Sequence, residues 1–356
     1  MDRKKKITSP SFFIGNFNDD IISFGSGQPD LPPPKEVYDI LADYAGFRYG
    51  YIKGQENLRN ALSKNYPNAH EDNFIITNGA SEALDLTMRY LSRKGFTRIA
   101  LPRPYYYSYP FVAEYAGMQI EYYELVNGKI NTETFFNTVS NCHCILINSP
   151  SNPTGVVQDL DVLEKIETFA AEKGIWIISD EVYKDLIYGR SNYLIQGKRV
   201  ITINSFSKTY AMCGFRVGYI YCPDEDLIFG ITEIKNHTSM NTNILGQEMA
   251  FEATKVDREI ITQQVKVWKE RRDTIYEGMI SLGLELQKPE GAFYVLPKIS
   301  NSAEAVNELF YDYKLIAYDG GWFGAPGHVR FSYALDTQKI LQGLERLKQF
   351  LSRRSA

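Results

Sequence analysis

Four short, mostly apolar runs constrain this chain more than anything else: Phe74-Ile-Ile-Thr77, Arg98-Ile-Ala-Leu101, Cys144-Ile-Leu-Ile-Asn148 and Ile175-Trp-Ile-Ile-Ser179. Runs of this kind carry no alternating polar face, which is how strands look when both faces of their sheet are covered. Further β-rich runs lie at 119–124, 200–204 and 217–222. Helical patterns near 81–94, 105–117 and 159–173 separate them. Strand and helix in alternation predict an α/β unit with a mostly parallel sheet flanked by helices.

The character changes after about residue 255. Residues 258–283 read as one long charged helix, strands follow at 291–296 and 329–333, and helices near 303–313 and 336–352 complete a smaller α+β unit. The N-terminal segment, with a helix at 35–46 after a proline-rich start, is assigned to that same unit. A chain of 356 residues is long enough for this pair. The expected division is 48–255 for the large domain, and 1–47 with 256–356 for the small one.

A net charge of −4 gives no reason to expect nucleic acid as a partner. The basic start, Met1-Asp-Arg-Lys-Lys-Lys6, is followed by no apolar core and reads as a solvated tail rather than a secretory signal. No apolar stretch reaches the roughly 18 residues of a membrane span. The four cysteines are Cys142, Cys144, Cys213 and Cys222. Cys142-His143-Cys144 has no second cluster to make a zinc site with, so no metal is expected. Plain reduced thiols suit a reducing, cytoplasmic compartment.

Chemistry collects where the apolar runs end. The run 200–204 delivers Ser205-Phe-Ser207-Lys208-Thr209, and open parallel sheets bind ligands at that edge. A lysine whose amine is neutral part of the time, through burial or nearby cations, forms an imine with an aldehyde. Asp180 follows the run 175–179, and an ionised acid at the end of a buried strand needs a partner. Arg216, in Gly214-Phe-Arg-Val-Gly218, offers a bidentate fork for a phosphate. An imine-forming lysine, an acid for a ring nitrogen and an arginine for a phosphate together point to pyridoxal 5'-phosphate (PLP) as cofactor.

Other segments fit around those three. Thr77-Asn-Gly-Ala-Ser81-Glu-Ala-Leu84 is a strand, a turn and a helix start, whose free N–H groups can hold an anion. It reads equally as a tight turn with a capping serine. It lacks the GxGxxG of a dinucleotide site. Ser205 and Ser207 add hydroxyls to the same anion. Asn148-Ser-Pro-Ser-Asn152-Pro-Thr-Gly155 is a turn stiffened by two prolines, able to aim the Asn152 amide at a cofactor phenolate oxygen. Tyr183 is the second donor. In Pro104-Tyr-Tyr106-Tyr-Ser-Tyr-Pro110, Tyr106 is nominated to face the cofactor ring, although core packing explains most of these tyrosines equally well. Arg330, between Val329 and Phe331, is an arginine in an apolar strand, suited to gripping a carboxylate.

Taken together these segments resemble the fold-type I PLP-dependent aminotransferases of classes I and II, over residues 22 to 335. The most specific part is Ser205-Phe-Ser-Lys-Thr-Tyr-Ala-Met-Cys-Gly-Phe-Arg-Val-Gly-Tyr219. The resemblance implies that Lys208 carries the cofactor and shuttles protons. Asp180 would then pair with the ring nitrogen, Asn152 and Tyr183 with the phenolate oxygen. The amides of Ala80, Ser81 and Glu82 would join Ser205, Ser207 and Arg216 around the phosphate, and Tyr106 would stack. It further implies a homodimer in which Tyr49, in Phe47-Arg-Tyr-Gly-Tyr-Ile-Lys-Gly54, reaches the phosphate of the neighbouring subunit. Gly27 and Arg330 would hold the substrate carboxylate.

The implied reaction moves an amino group between an L-amino acid and a 2-oxo acid in two half-reactions. A C–S β-lyase and a histidinol-phosphate-type aminotransferase are the alternatives. Tyr183 favours transfer, since such lyases often carry histidine there. Two departures bear on specificity. Asp319-Gly-Gly-Trp322 places a bulky ring where the family often has a small residue, which predicts a reshaped pocket. Ile234-Lys-Asn-His237 lacks the arginine with which one aspartate-specific branch binds a distal carboxylate, leaving Lys235 and His237 as the basic residues there.

Overall fold

The computed structural model describes residues 6–13, 20–42, 44–46, 48–189 and 192–354, so the basic start at 1–5 lies outside the described residues. The first elements are short: β1 (Ile22–Ser23), α1 (Glu36–Asp39) and α2 (Glu56–Ser63). The alternation then begins with β2 (Phe74–Thr77), α3 (Gly79–Arg93), β3 (Arg98–Arg103), α4 (Ser108–Tyr115) and β4 (Gln119–Val126). It continues through β5 (Lys129–Ile130), α5 (Thr132–Val139), β6 (Cys144–Asn148), α6 (Leu160–Lys173) and β7 (Trp176–Asp180). β8 (Val200–Ser205), the single turn α7 (Phe206–Thr209) and β9 (Gly218–Tyr221) complete it.

These strands form one eight-stranded sheet in the order β2-β9-β8-β7-β6-β3-β4-β5. Neighbours from β4 through β8 are parallel, and β9 runs against both β8 and β2. The expected α/β architecture is therefore present. The apolar runs are buried along their whole length in β2, β6, β7, β8 and β9, because helices cover both faces. On one face Leu84, Met88 and Ile231 pack with Leu146 and Ile178. On the other, Phe135, Leu163 and Ile166 meet Ile145 and Ile177. Register aligns the strand ends: Asn148 stands beside Asp180, and Asp180 beside Ile203. The C-terminal edge thus sets Asn148 beside Asp180, with Ser205 two residues beyond the Ile203 that pairs with Asp180.

Three capped helices follow: α8 (Glu225–Asn236), α9 (Ile244–Lys255) and α10 (Arg258–Ser281). Asp224, Asn243 and Asp257 cap them, each accepting a backbone N–H of the first turn. The remaining elements are β10 (Tyr294–Val295), α11 (Ser302–Tyr313), β11 (Leu315–Ile316), β12 (Tyr318–Asp319), β13 (Val329–Ser332) and α12 (Thr337–Arg354). Their core gathers Trp268, Phe293, Phe331 and Leu347 with Ile7, Phe13, Ile22 and Phe24 from the N-terminal segment, and β1 pairs with β11.

Some elements are shorter than their sequence pattern. The helix expected over 35–46 ends as α1 and a 3-10 turn, Ile40–Ala42. Of its apolar side chains only Val37 is buried, while Leu41 faces solvent, so there is little to hold further turns. Val37 packs with Leu58, Leu62 and Met249, against the large sheet's outer helices. The strand expected over 291–296 forms a ladder only at Tyr294 and Val295, while Gly291 makes an isolated bridge to Ile187. Gly291 is confined by the Leu186 carbonyl and Pro150, which tie that segment to the large unit instead.

Candidate active site

Strand ends β6, β7 and β8, the start of α3, and β10, β12 and β13 converge on a cavity of about 380 Å³. That is within the range of small-molecule sites. Lys208, Asp180, Tyr183, Asn152, Ser205, Ser207, Arg216, Ala80, Ser81, Tyr106, Gly27 and Arg330 all line it. Two nominated residues do not. Glu82 turns its carboxylate away, toward Asn78 and Lys235. Tyr49 is 85% exposed on the surface.

Lys208 sits on α7, which Ser205 caps by accepting the Ser207 N–H at 3.1 Å. Its Nζ donates to the Gly27 carbonyl at 2.6 Å and lies 6.0 and 5.9 Å from the ring centres of Tyr183 and Phe293. Gly27 comes so close to Tyr294 that a Cβ would stand 1.9 Å from the phenol oxygen.

Asp180 is only 4% exposed. It accepts from Tyr109 Oη at 2.6 Å and from the Val182 N–H at 3.3 Å, and no described lysine or arginine forms an ion pair with it. Burial pushes its carboxyl up to about 6, against the lowering effects of Tyr109, the Val182 N–H and the Lys208 charge. Burial and the adjoining carboxylate drive the Tyr109 phenol well above its ordinary range, so it remains a donor. Asn148 fixes this strand end by donating to the Asp180 carbonyl at 3.1 Å and accepting the Asn152 N–H at 2.9 Å.

Arg330 is 3% exposed. It donates to Asn152 Oδ1 at 2.9 Å and to the Gly25 carbonyl, and its guanidinium lies 4.5–4.8 Å from the ring centres of Tyr294, Tyr318 and Phe323. Its Nε has no hydrogen-bond partner, and among the described residues it has no acid partner. A buried cation left in this state is prepared for an anionic ligand. Trp322 does not line the cavity; it packs edge-on against the Tyr318 ring, so the expected narrowing comes at most through Tyr318.

Arg216 adopts φ +57° and spans from the Cys213 carbonyl (2.9 Å) to the Asn78 carbonyl (3.2 Å). A Cβ at Gly79 would stand 2.3 Å from its Nη2, so glycine is what lets the arginine lie against the start of α3. The first N–H groups of α3, the Ser81, Ser205 and Ser207 hydroxyls and Arg216 thereby bound one end of the cavity. They make a cradle with the donor chemistry of a phosphate site. Asp180, without an ion-pair partner among the described residues, and the Lys208 amine line the same cavity, and their chemistry fits the ring nitrogen and aldehyde of PLP. Sequence reasoning missed Tyr109, Tyr294, Tyr318 and Tyr107, all of which line the cavity. The proline-flanked tyrosine cluster was the signal for two of them.

A fold-type I PLP-dependent enzyme is the class that this sheet and this cavity define. The model of the family described as aminotransferase class I and II matches residues 19–347, and the chain belongs to that family. It is accordingly a PLP-dependent transaminase. Among similar proteins, a probable aspartate/prephenate aminotransferase of Aquifex aeolicus is 31% identical over 361 residues, covering 93% of this chain and 91% of the other. A probable aspartate aminotransferase of Methanocaldococcus jannaschii is 32% identical over 93% of both. Among solved structures, the aromatic aminotransferase of Pyrococcus horikoshii superposes with a TM-score of 0.88 at 28% identity, covering 98% of this chain and all of that one. The aspartate aminotransferase of Thermus thermophilus with maleate gives 0.89 at 25% identity over 97% of each.

Proposed function

We propose that Lys208, Asp180 and Tyr183 carry out the proton and charge work of transamination, and that Arg330, Gly27 and Asn152 orient the amino acid. One observation carries this reading: a lysine amine, a buried acid without a described cation and a buried arginine without a described acid share one cavity. When bound, PLP supplies an aldehyde for the lysine and a ring that takes up electrons from the substrate α-carbon. Lys208 Nζ would hold the aldehyde and, as a free amine, would accept the substrate's α-proton and return it. Asp180 would supply the negative charge that pairs with the ring nitrogen. Tyr183, held at 2.7 Å by Tyr294 Oη, and the Asn152 amide donate to the phenolate oxygen. The Asn152 amide is left free to donate because its Oδ1 is engaged by Arg330. The backbone amides of Ala80, Ser81 and Glu82, the Ser205 and Ser207 hydroxyls and Arg216 would hold the phosphate, and Tyr106 would face the ring.

Arg330 grips the α-carboxylate, and water is then excluded by the rings around it. The reaction runs as two half-reactions, the first releasing a 2-oxo acid. The test mixes the PLP form with single amino acids and follows its visible band. A band shift that a 2-oxo acid reverses supports transfer. Release of ammonia and pyruvate without any acceptor supports a β-lyase instead.

The working assembly in this reading is a homodimer with Tyr49 reaching the neighbour's phosphate. The exposure of Tyr49 and of Tyr51 beside it supports this. The large domain spans 48–255, and 1–47 with 256–356 form the small one, α1 lying against the large sheet's helices. Four unpaired thiols suit a cytoplasmic setting.

A further inference from the structure

We propose that Lys235 and Glu82 act as a positioning pair for the cofactor phosphate: neither lines the cavity, yet together they set its anion cradle. The inference rests on the assignment of Ala80, Ser81 and Arg216 to that phosphate. Lys235, on α8, has a side chain with no solvent exposure. Its Nζ donates to Glu82 Oε2 at 3.0 Å, to Oε1 at 3.3 Å and to Ser239 Oγ at 2.9 Å. Glu82 Oε2 in turn accepts the Asn78 backbone N–H at 2.6 Å and its Nδ2 at 3.1 Å. The Asn78 carbonyl accepts from Arg216 Nη2 at 3.2 Å. An unbroken set of hydrogen bonds thus runs from α8 through the residue before α3 to the arginine of the cradle. It fixes the orientation of Asn78, the seat on which Arg216 lies.

The pair also balances charge. Glu82 occupies the first turn of α3, where a carboxylate is attracted by the helix dipole. A phosphate bound at that same end competes for the same partial positive charge and is repelled by the carboxylate. Burial raises the Glu82 carboxyl, but hydrogen bonds from Ser239 and Asn78 and the Lys235 ammonium outweigh it, so the group stays ionised. Lys235 cancels that charge. Removing Lys235 alone leaves a partly buried anion beside the phosphate, whereas removing both charges restores neutrality. Lys235 is therefore committed to this pair and cannot reach a substrate carboxylate.

The test uses apoenzyme and two probes, PLP and pyridoxal, which lacks the phosphate. Lys235→Met weakens PLP binding about tenfold or more while leaving pyridoxal within about twofold, and Glu82→Gln in that background recovers most of the loss. Equal losses for both probes, or no loss for PLP, overturn the proposal. Where Lys235→Met alone fails to fold, the double variant decides: PLP affinity within about threefold of wild type supports the pairing, and a larger loss refutes it. Arg216→Lys serves as the separate control on the phosphate assignment. If it does not change the PLP-to-pyridoxal ratio, that assignment fails and this proposal with it. If it does and Lys235→Met does not, only the pair is refuted.

Discussion

Tyr109 Oη donates to Asp180 Oδ2 at 2.6 Å, and with the Val182 N–H it is what the buried carboxylate has in place of a cation. These bonds help the acid to stand ionised at a strand end, and burial is what makes that state costly. Its folded-state pKa, about 6, lies above its ordinary value of 3.8. The folded apoprotein therefore binds a proton more tightly than the unfolded chain. The penalty is absent below about pH 4, grows as pH rises toward 6 and is then constant, on the order of 2–3 kcal/mol.

Asp180→Asn should remove that penalty. The apoenzyme variant melts higher than wild type at pH 7, and the two converge near pH 4, while PLP-dependent turnover is lost. Thermal unfolding of the apo forms across pH 4–8 checks this. A variant less stable than wild type at pH 7 would show that the carboxylate is not strained by burial.

Lys208→Ala removes the amine that meets the aldehyde. Turnover falls by at least about 10³-fold, since both the covalent step and the general base are lost. The cradle around Arg216 is untouched, so the variant retains PLP without a covalent link, seen as cofactor released intact on denaturation. Near-normal transamination would remove Lys208 from its role.

Arg330→Lys keeps the charge and loses the planar fork. KM for the amino acid rises by about 10–100-fold, corresponding to one or two charge-assisted hydrogen bonds, with PLP affinity nearly unchanged. Steady-state kinetics with a PLP titration separate the two effects. An unchanged KM would mean that the α-carboxylate binds elsewhere.

What could be read from the sequence divides along physical lines. Seven of the sheet's eight strands were legible because most are apolar runs, a pattern that two-sided burial requires; β5, two residues long, was not. Lys208, Asp180, Arg216 and Arg330 were legible because a charged residue at the end of, or within, such a strand needs a reason to be there. Tyr109 was not, since four tyrosines crowd residues 105–109 and only the phase of α4, set by its start at Ser108, turns Tyr109 toward Asp180. Tyr294 looked like any core aromatic until β10 brought its hydroxyl to Tyr183 and its ring to Arg330. Helices α8 and α9 were not anticipated; the capping residues Asp224 and Asn243 are the local signal that marks their starts. Lys235 stood out as a charge near a substrate position. No local pattern reveals that it spends that charge on Glu82, which lies 153 residues away.

The last prediction concerns the side-chain end of the substrate. Among the described residues, the cavity lining holds three cations, Lys208, Arg216 and Arg330, and the proposed function commits them to the aldehyde, the phosphate and the α-carboxylate. Lys235 is buried in its pair with Glu82, and His237 borders a separate surface groove with Tyr90 and Arg93. The rest of the lining carries no charge but that of Asp180, and its large side chains are the rings of Tyr106, Tyr107, Tyr109, Tyr183, Tyr294 and Tyr318. An unpaired carboxylate brought against such rings loses hydration with no countercharge, whereas an aromatic or neutral side chain gains contact. In single half-reactions, kcat/KM for phenylalanine or tyrosine should exceed that for aspartate by about tenfold or more, equivalent to roughly 1.4 kcal/mol at the transition state. Aspartate reacting as fast as tyrosine would require a cation from outside this lining, and an arginine or lysine of the neighbouring protomer would be the group to mutate next.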